Sequence, residues 1–235
     1  RYPKEAKEKE VMKFSKETLD ILNNFKLLNR GLVIKQGNVI KTRHQTSPMP
    51  IAKVTIPESF PRDFAIAELQ GFLSTFSLLE EPEVDFTDTH AVMSDGTKTA
   101  KIRYAAPTMV VHMDYNIAVK LPTTDVSLEL SEENLKAIEK AATSFMAPEI
   151  AFVGDGVKTK LTTYNSKNTG ADTFEIALGE SGKVFSMIVN VNHLQLMRRS
   201  YNVGISFKGL LEFTSITEAN TLQYWIAASE KSKVG

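Results

Sequence analysis

The chain has 235 residues, no cysteine, and 28 basic against 28 acidic side chains, so its formal net charge is zero. The missing cysteines exclude disulfide frameworks, thiolate nucleophiles and Cys-ligated zinc or iron–sulfur sites. The balanced charge means that any affinity for a polyanion must come from local asymmetry.

Residues 1–11 are charged and lack an apolar run. They read as an N-terminal extension, either a flexible arm or a remnant of how the protein was made, and no signal-peptide pattern is present. No stretch approaches the ~20 apolar residues that cross a bilayer, which predicts a protein with no membrane contact. A first helix is predicted over residues 15–29, with Ser15 as its N-cap and Phe14, Ile21, Leu22, Phe25 and Leu28 on one face. Gly31 marks its stop. Two β-rich runs around Gln36, Gly37 and Asn38 then predict a hairpin, and the prolines at 48, 50, 57 and 61 break the following strands. A second helix is predicted over residues 67–79, followed by strands near 84–87, 90–93 and 99–104 with a turn at Asp95-Gly96.

Residues 105–124 show no clear period. They are read as an extended connector, giving a first domain over 12–108, a connector over 109–124 and a second domain over 125–235. In the second part Ser131 caps a third helix whose first turn holds Glu132 and Glu133, where the helix dipole favours acids. Strands flank Gly154-Asp155-Gly156, a short helix is predicted over 192–197, and three more strands close the chain. Helix–strands–helix–strands thus occurs twice, a pattern repeat of roughly 110 residues. Each half then has two helices and about seven strands, an α+β arrangement of helices on antiparallel sheets.

Candidate chemistry is sparse. His44, His90, His112 and His193 have no metal-ligand spacing, and the acids at 80, 81, 83 and 85 lack a calcium-loop pattern. The glycines at 154 and 156 precede no phosphate-loop Lys-Ser/Thr, and no nucleophile elbow occurs. No metal, cofactor or catalytic set is predicted. What remains is basic helix faces: Lys16, Asn23, Lys26 and Arg30 on the first helix, Lys136 and Lys140 on the third, and Arg198 and Arg199 beside the fourth. Lysines opposite an apolar face commonly serve solubility alone. Their recurrence in both halves favours contacts to nucleic-acid phosphates, which read no sequence.

The order Met12-Lys13-x-Ser15-Lys16-Glu17-Thr18, Leu22-x-Asn24-Phe25-x-x-x-Asn29-x-Gly31, Lys35-x-Gly37-x-x-Ile40-x-Thr42-Arg43 resembles the start of the T-even phage DNA polymerase sliding clamps. Ala65-Ile66-x-x-Leu69-x-Gly71-Phe72-Leu73 with Ser77-Leu78 continues the likeness, and Asn190, Tyr201, Lys208-Gly209, Phe213 and Tyr224 carry it more loosely towards the end. The resemblance implies the DNA-clamp fold: two similar domains per chain and a closed homotrimeric ring around double-stranded DNA, helices inside and sheets outside. It implies a processivity factor, not an enzyme. Its partners would be the C-terminal tail of the replicative polymerase and an ATP-dependent clamp loader. Support of phage late transcription and a place in the cytoplasm of the infected bacterial host would follow. By the same resemblance Lys16 stands at a basic position and Lys140 at an arginine, whereas Asn23 and Gln195 stand where lysines are expected.

The polymerase tail needs an apolar pocket, for which Met109, Val110, Val111, Tyr115 and Ile117 in the connector and Tyr224 and Trp225 near the end are candidates; covering the sheets or joining subunits is the plainer use of the same residues. The ring would close by pairing an edge strand of one subunit's first domain with an edge of the next subunit's second domain. A compact chain of this length has a radius of gyration of only ~17 Å, so encirclement requires several copies. Two other readings compete: a non-ring, sequence-independent nucleic-acid-binding regulator on the same basic helices, and a hydrolase built around His193 or His112.

Overall fold

The computed structural model describes residues 11–217 and 220–235; the expectation for the N-terminal extension falls almost wholly outside them. The chain forms two compact units. One holds the residues up to Gln45 together with Ile56–Met113, the other Thr46–Thr55 with Asp114–Gly235.

In the first unit β1 (Val11–Met12) leads into α1 (Lys16–Leu28), followed by β2 (Leu32–Ile34), β3 (Gly37–Arg43), β4 (Ile51–Phe60), β5 (Phe64–Ile66) and α2 (Leu69–Phe76). The strands β6 (Glu83–Phe86), β7 (His90–Ser94) and β8 (Thr99–Arg103) complete an antiparallel sheet in the order β1-β6-β7-β8. Residue 11, counted in sequence with the extension, pairs with Asp85 in that sheet. The hairpin expected around Gly37 does not form, because β2 pairs with β5, Leu32 opposite Ile66 and Ile34 opposite Phe64. All three residues of β2 are buried, so both of its faces are covered, unlike the half-buried alternation of a surface hairpin.

α1 buries Ile21, Leu22, Phe25 and Leu28, the face its apolar spacing predicts. Around Phe14 the unit packs an aromatic cluster, with Phe60, Phe72, Phe76 and Phe86 at centroid distances of 5.3–6.4 Å, mostly tilted or edge-on. The helix ends at Leu28: Asn29 is extended, its side chain donates to the carbonyls of Arg43 (3.2 Å) and Val111 (2.6 Å), and its Oδ1 accepts from the Gly31 N–H. Gly31 therefore serves close approach rather than the stop itself. A Cβ there would stand 2.7 Å from the Ile66 carbonyl oxygen and 2.9 Å from Val110 Cγ1.

The second unit holds β9 (Val126–Leu130), α3 (Glu132–Ser144), β10 (Glu149–Asp155), β11 (Lys158–Tyr164), β12 (Glu175–Glu180), β13 (Val184–Asn190), β14 (Tyr201–Ser206), β15 (Leu210–Ser215), β16 (Thr221–Ala227) and β17 (Lys233–Val234). One antiparallel sheet runs β12-β11-β10-β13-β17; in the other β9, β14, β15 and β16 follow one another, with Ile51–Thr55 of β4 against Thr221–Trp225. That pairing takes the start of β4 out of the first unit, so one cut in the chain does not separate the two. Val110 likewise packs with Val33 and Ala65 of the first unit, against the reading of residues 109–124 as a single connector. Ser131 caps α3 by accepting from the Asn134 N–H, and α3 lays Leu135, Ile138, Ala141 and Ala142 inward against β10, β11 and β12. The helix expected over 192–197 is only a 3-10 turn, Val191–His193, so this unit has one α-helix among its described residues. Leu194 and Leu196 are buried but sit too close together, with no periodic apolar face, to hold a longer one.

Candidate nucleic-acid interface

α1 is placed from both ends. At its start the Glu58 carboxylate accepts from the Ser15 N–H (2.5 Å) and the Thr18 hydroxyl (2.6 Å), while Ser15 Oγ accepts from the Thr18 N–H. Burial pushes Glu58 up, but these hydrogen bonds together outweigh it and hold its carboxyl below the ordinary range. With its far end tied through Asn29, the helix presents one solvent stripe, Lys16, Asp20, Asn23 and Leu27, spaced four, three and four residues apart, and Arg30 follows just past its end.

The cations along this stripe are engaged. Lys16 Nζ lies 2.6 Å from Asp20 Oδ2, and Arg30 Nη2 pairs with Glu68 Oε1 just before α2. The hydrogen bond that Lys16 donates to Asp20 raises its ammonium above the usual range, and the one to Glu68 does the same for the Arg30 guanidinium. Lys26 Nζ donates to Asn23 Oδ1 (2.9 Å), and Asn23 in turn donates to the Leu19 carbonyl. α2 adds polar groups but no charge of its own, Gln70 bonding Ser74 at 2.8 Å.

On α3, Lys136 and Lys140 are exposed one turn apart, and neither makes an ion pair among the described residues. Arg198 is exposed with its Nε 3.8 Å from Glu139, whose carboxyl burial pushes up and Arg198 partly restores. Arg199 does not share this surface. It is buried and its Nη1 donates to Asn220 Oδ1 at 2.9 Å, so a phosphate cannot reach it. Gln195 is half-buried, not an exposed substitute for a lysine.

Three of the apolar candidates are also interior. Tyr224 and Trp225 lie in β16, fully buried or nearly so, with Trp225 Nε1 donating to Glu212 (2.7 Å) and Tyr224 Oη accepting from the Met197 N–H (3.2 Å). Val110 is buried against Val33 and Ala65. Met109 and Ile117 are exposed, at 77% and 56%, while Val111 and Tyr115 are half-buried. His112 binds the Val110 carbonyl through Nδ1, and among the described residues no three His, Asp or Glu groups converge as metal ligands. No helix among them is long and apolar enough to cross a membrane.

Among the edge strands of the described residues, two carry opposite charge. β8 is paired only with β7 and carries Lys101 and Arg103 on its exposed side; β12 is paired only with β11 and carries Glu175 and Glu180. Glu175 is already bridged to Lys160 at 2.6 Å. The roles of Glu58 and Glu68 were missed in the sequence, which offers no signal for partners 40 residues from the groups they hold. The Lys16–Asp20 pair was open to reading from its i,i+4 spacing.

Residues 15–119 match a family described as DNA polymerase processivity factor. The sliding clamp of Vibrio phage KVP40 is 29% identical over 224 residues, 92% of this chain and 98% of that protein. The sliding clamp of phage T4 is 26% identical over 205 residues, 84% of this chain and 89% of that protein. Among solved structures, the PCNA of Thermococcus kodakaraensis aligns over 93% of this chain and 98% of its own with a TM-score of 0.70 at 13% identity. The PCNA of A. fulgidus, bound to the C-terminal region of FEN-1, aligns over 92% of this chain and 96% of its own with a TM-score of 0.68 at 10% identity. The solved structures speak for the fold alone.

Proposed function

We infer that this chain is a sliding clamp of the T4 phage type, a DNA polymerase processivity factor, and that it works as a closed ring of three copies around duplex DNA. The similarity to phage clamps over most of its length carries this reading. The exposed faces of α1 and α3 would meet phosphates, and such contacts are sequence-blind and individually weak, so the ring can move along DNA while its closure keeps it from leaving. It performs no chemistry of its own.

These two edges support a specific closure. β8 of one copy pairs with β12 of the next, so that the edge bearing Lys101 and Arg103 meets the edge bearing Glu175 and Glu180. The replicative polymerase docks by its C-terminal tail. Met109 and Ile117 are the first residues to test for that contact because their side chains are the most exposed of the candidates. An ATP-dependent loader opens the ring, the protein acts in the cytoplasm of the infected bacterial host, and late transcription draws on the same ring.

Light scattering across a dilution series tests the ring. The expected particle is three times 26.1 kDa. Reversing the charges of β8 (Lys101→Glu with Arg103→Glu) should shift it to smaller species at equal concentration. A strict monomer in the unaltered protein at high concentration would remove encirclement and leave the non-ring DNA-binding regulator.

A further inference from the structure

The two helices that carry the basic residues differ in how free those residues are. On α1, Lys16 is ion-paired with Asp20 and Lys26 donates only to the neutral Asn23; just past the helix Arg30 is ion-paired with Glu68, and the middle of the stripe is Asn23 and a leucine, Leu27, 56% exposed. On α3, Lys136 and Lys140 stand exposed with no ion pair among the described residues.

An ammonium that already faces a carboxylate at 2.6 Å offers a phosphate little. Exposed ion pairs of this kind are themselves worth only ~0–1 kcal/mol, so they can open. The carboxylate, however, stays beside the cation and repels the incoming phosphate, and beyond a Debye length of ~8 Å the two charges cancel. Counterion release, the main source of affinity for a duplex, follows only from cations that replace those counterions.

We propose that the duplex is gripped through α3 and slides over α1, with Asp20 and Glu68 as the residues that keep the α1 face weak. This rests on the sliding-clamp reading. Uniformly strong contacts would hold the ring in one place, whereas a face on which Lys16 and Arg30 are paired and only Lys26 keeps an unopposed charge, beside an exposed leucine, offers DNA shallower electrostatic minima. Asp20 also relieves a cation at a helix N-terminus, where the dipole disfavours it; that purely structural use predicts a loss of helix stability and no effect on DNA.

The test is salt-dependent binding of a fluorescent duplex of arbitrary sequence, read by anisotropy, using the full chain. Four proteins are compared, each checked for native circular dichroism: the unaltered chain, Asp20→Asn with Glu68→Gln, Lys16→Gln with Arg30→Gln, and Lys136→Gln with Lys140→Gln. Freeing the α1 cations should tighten binding and steepen the log–log salt slope by about 1.8 per chain touching DNA, and removing the α3 lysines should flatten it by about as much. Removing Lys16 and Arg30 should flatten it by less than half of that. Unchanged binding in Asp20→Asn with Glu68→Gln, or equal losses from the α1 and α3 lysine variants, overturns the division between helices while leaving the clamp intact. Absence of salt-dependent binding in the unaltered chain overturns the proposal, whereas the clamp reading falls only if light scattering also shows a strict monomer.

Discussion

Changing Glu58 to alanine tests whether a strand carboxylate holds the helix that carries half of the basic surface. Two donors lose their acceptor: the Ser15 N–H at 2.5 Å and the hydroxyl of Thr18, a residue with no exposed surface. Hydrogen bonds to a charged group contribute about 1.5–3 kcal/mol each, and a buried donor left alone costs about 1–3 kcal/mol. Glu58 is itself only half-buried and water reaches part of it, so the loss is at the low end of the combined range, about 2 kcal/mol. An anion near the N-terminus of α1 also adds about 0.3–1 kcal/mol through the dipole.

Hydrogen exchange is the assay suited to this change. The single tryptophan, Trp225, belongs to the other unit and its fluorescence need not follow α1. Opening of the first turns of α1 should become about 30-fold easier, since 1.36 kcal/mol is a factor of ten. Glu58→Gln keeps one acceptor oxygen and should lose roughly half as much. Because the folded carboxyl titrates below its ordinary 4.5, its stabilisation is present above that value and fades as pH falls through the folded pKa. The difference between the unaltered protein and Glu58→Ala should therefore narrow under acid. Protection of residues 15–28 that stays within threefold at neutral pH would refute this account of how α1 is anchored.

Other outcomes follow from single contacts. Arg199→Ala removes a buried donor to Asn220 Oδ1 and should lower the melting temperature by several degrees, about 2–4 °C per kcal/mol at this size, with the slope of DNA binding on salt unchanged. Arg198→Ala, exposed, should leave the melting temperature alone and flatten that slope. Gly31→Ala places a methyl 2.7 Å from the Ile66 carbonyl and should cost about 1–3 kcal/mol in urea unfolding read by far-ultraviolet circular dichroism; a neutral result would mean that the end of α1 can shift freely.

Periodicity and capping chemistry made the helices legible. Ser15 and Ser131 start α1 and α3 as read, and the buried faces are the apolar spacings, because both are governed by neighbours within a turn or two. Likeness to the phage clamps was also legible, carried by the order of residues in the first seventy or so positions and extended by the full-length relatives. Pairing was not. β2 takes β5 instead of its neighbour in sequence, and β4 divides between two units, because backbone hydrogen bonds are indifferent to which residues make them. Exposure was equally out of reach: Arg198 and Arg199 are alike in sequence and opposite in the structure, and Trp225 reads as a docking residue until Glu212 is seen at its indole N–H. Composition and period therefore determined which residues can form a face. Only the tertiary structure decided which face meets solvent and which cations arrive already paired, since both depend on groups brought together from distant parts of the chain.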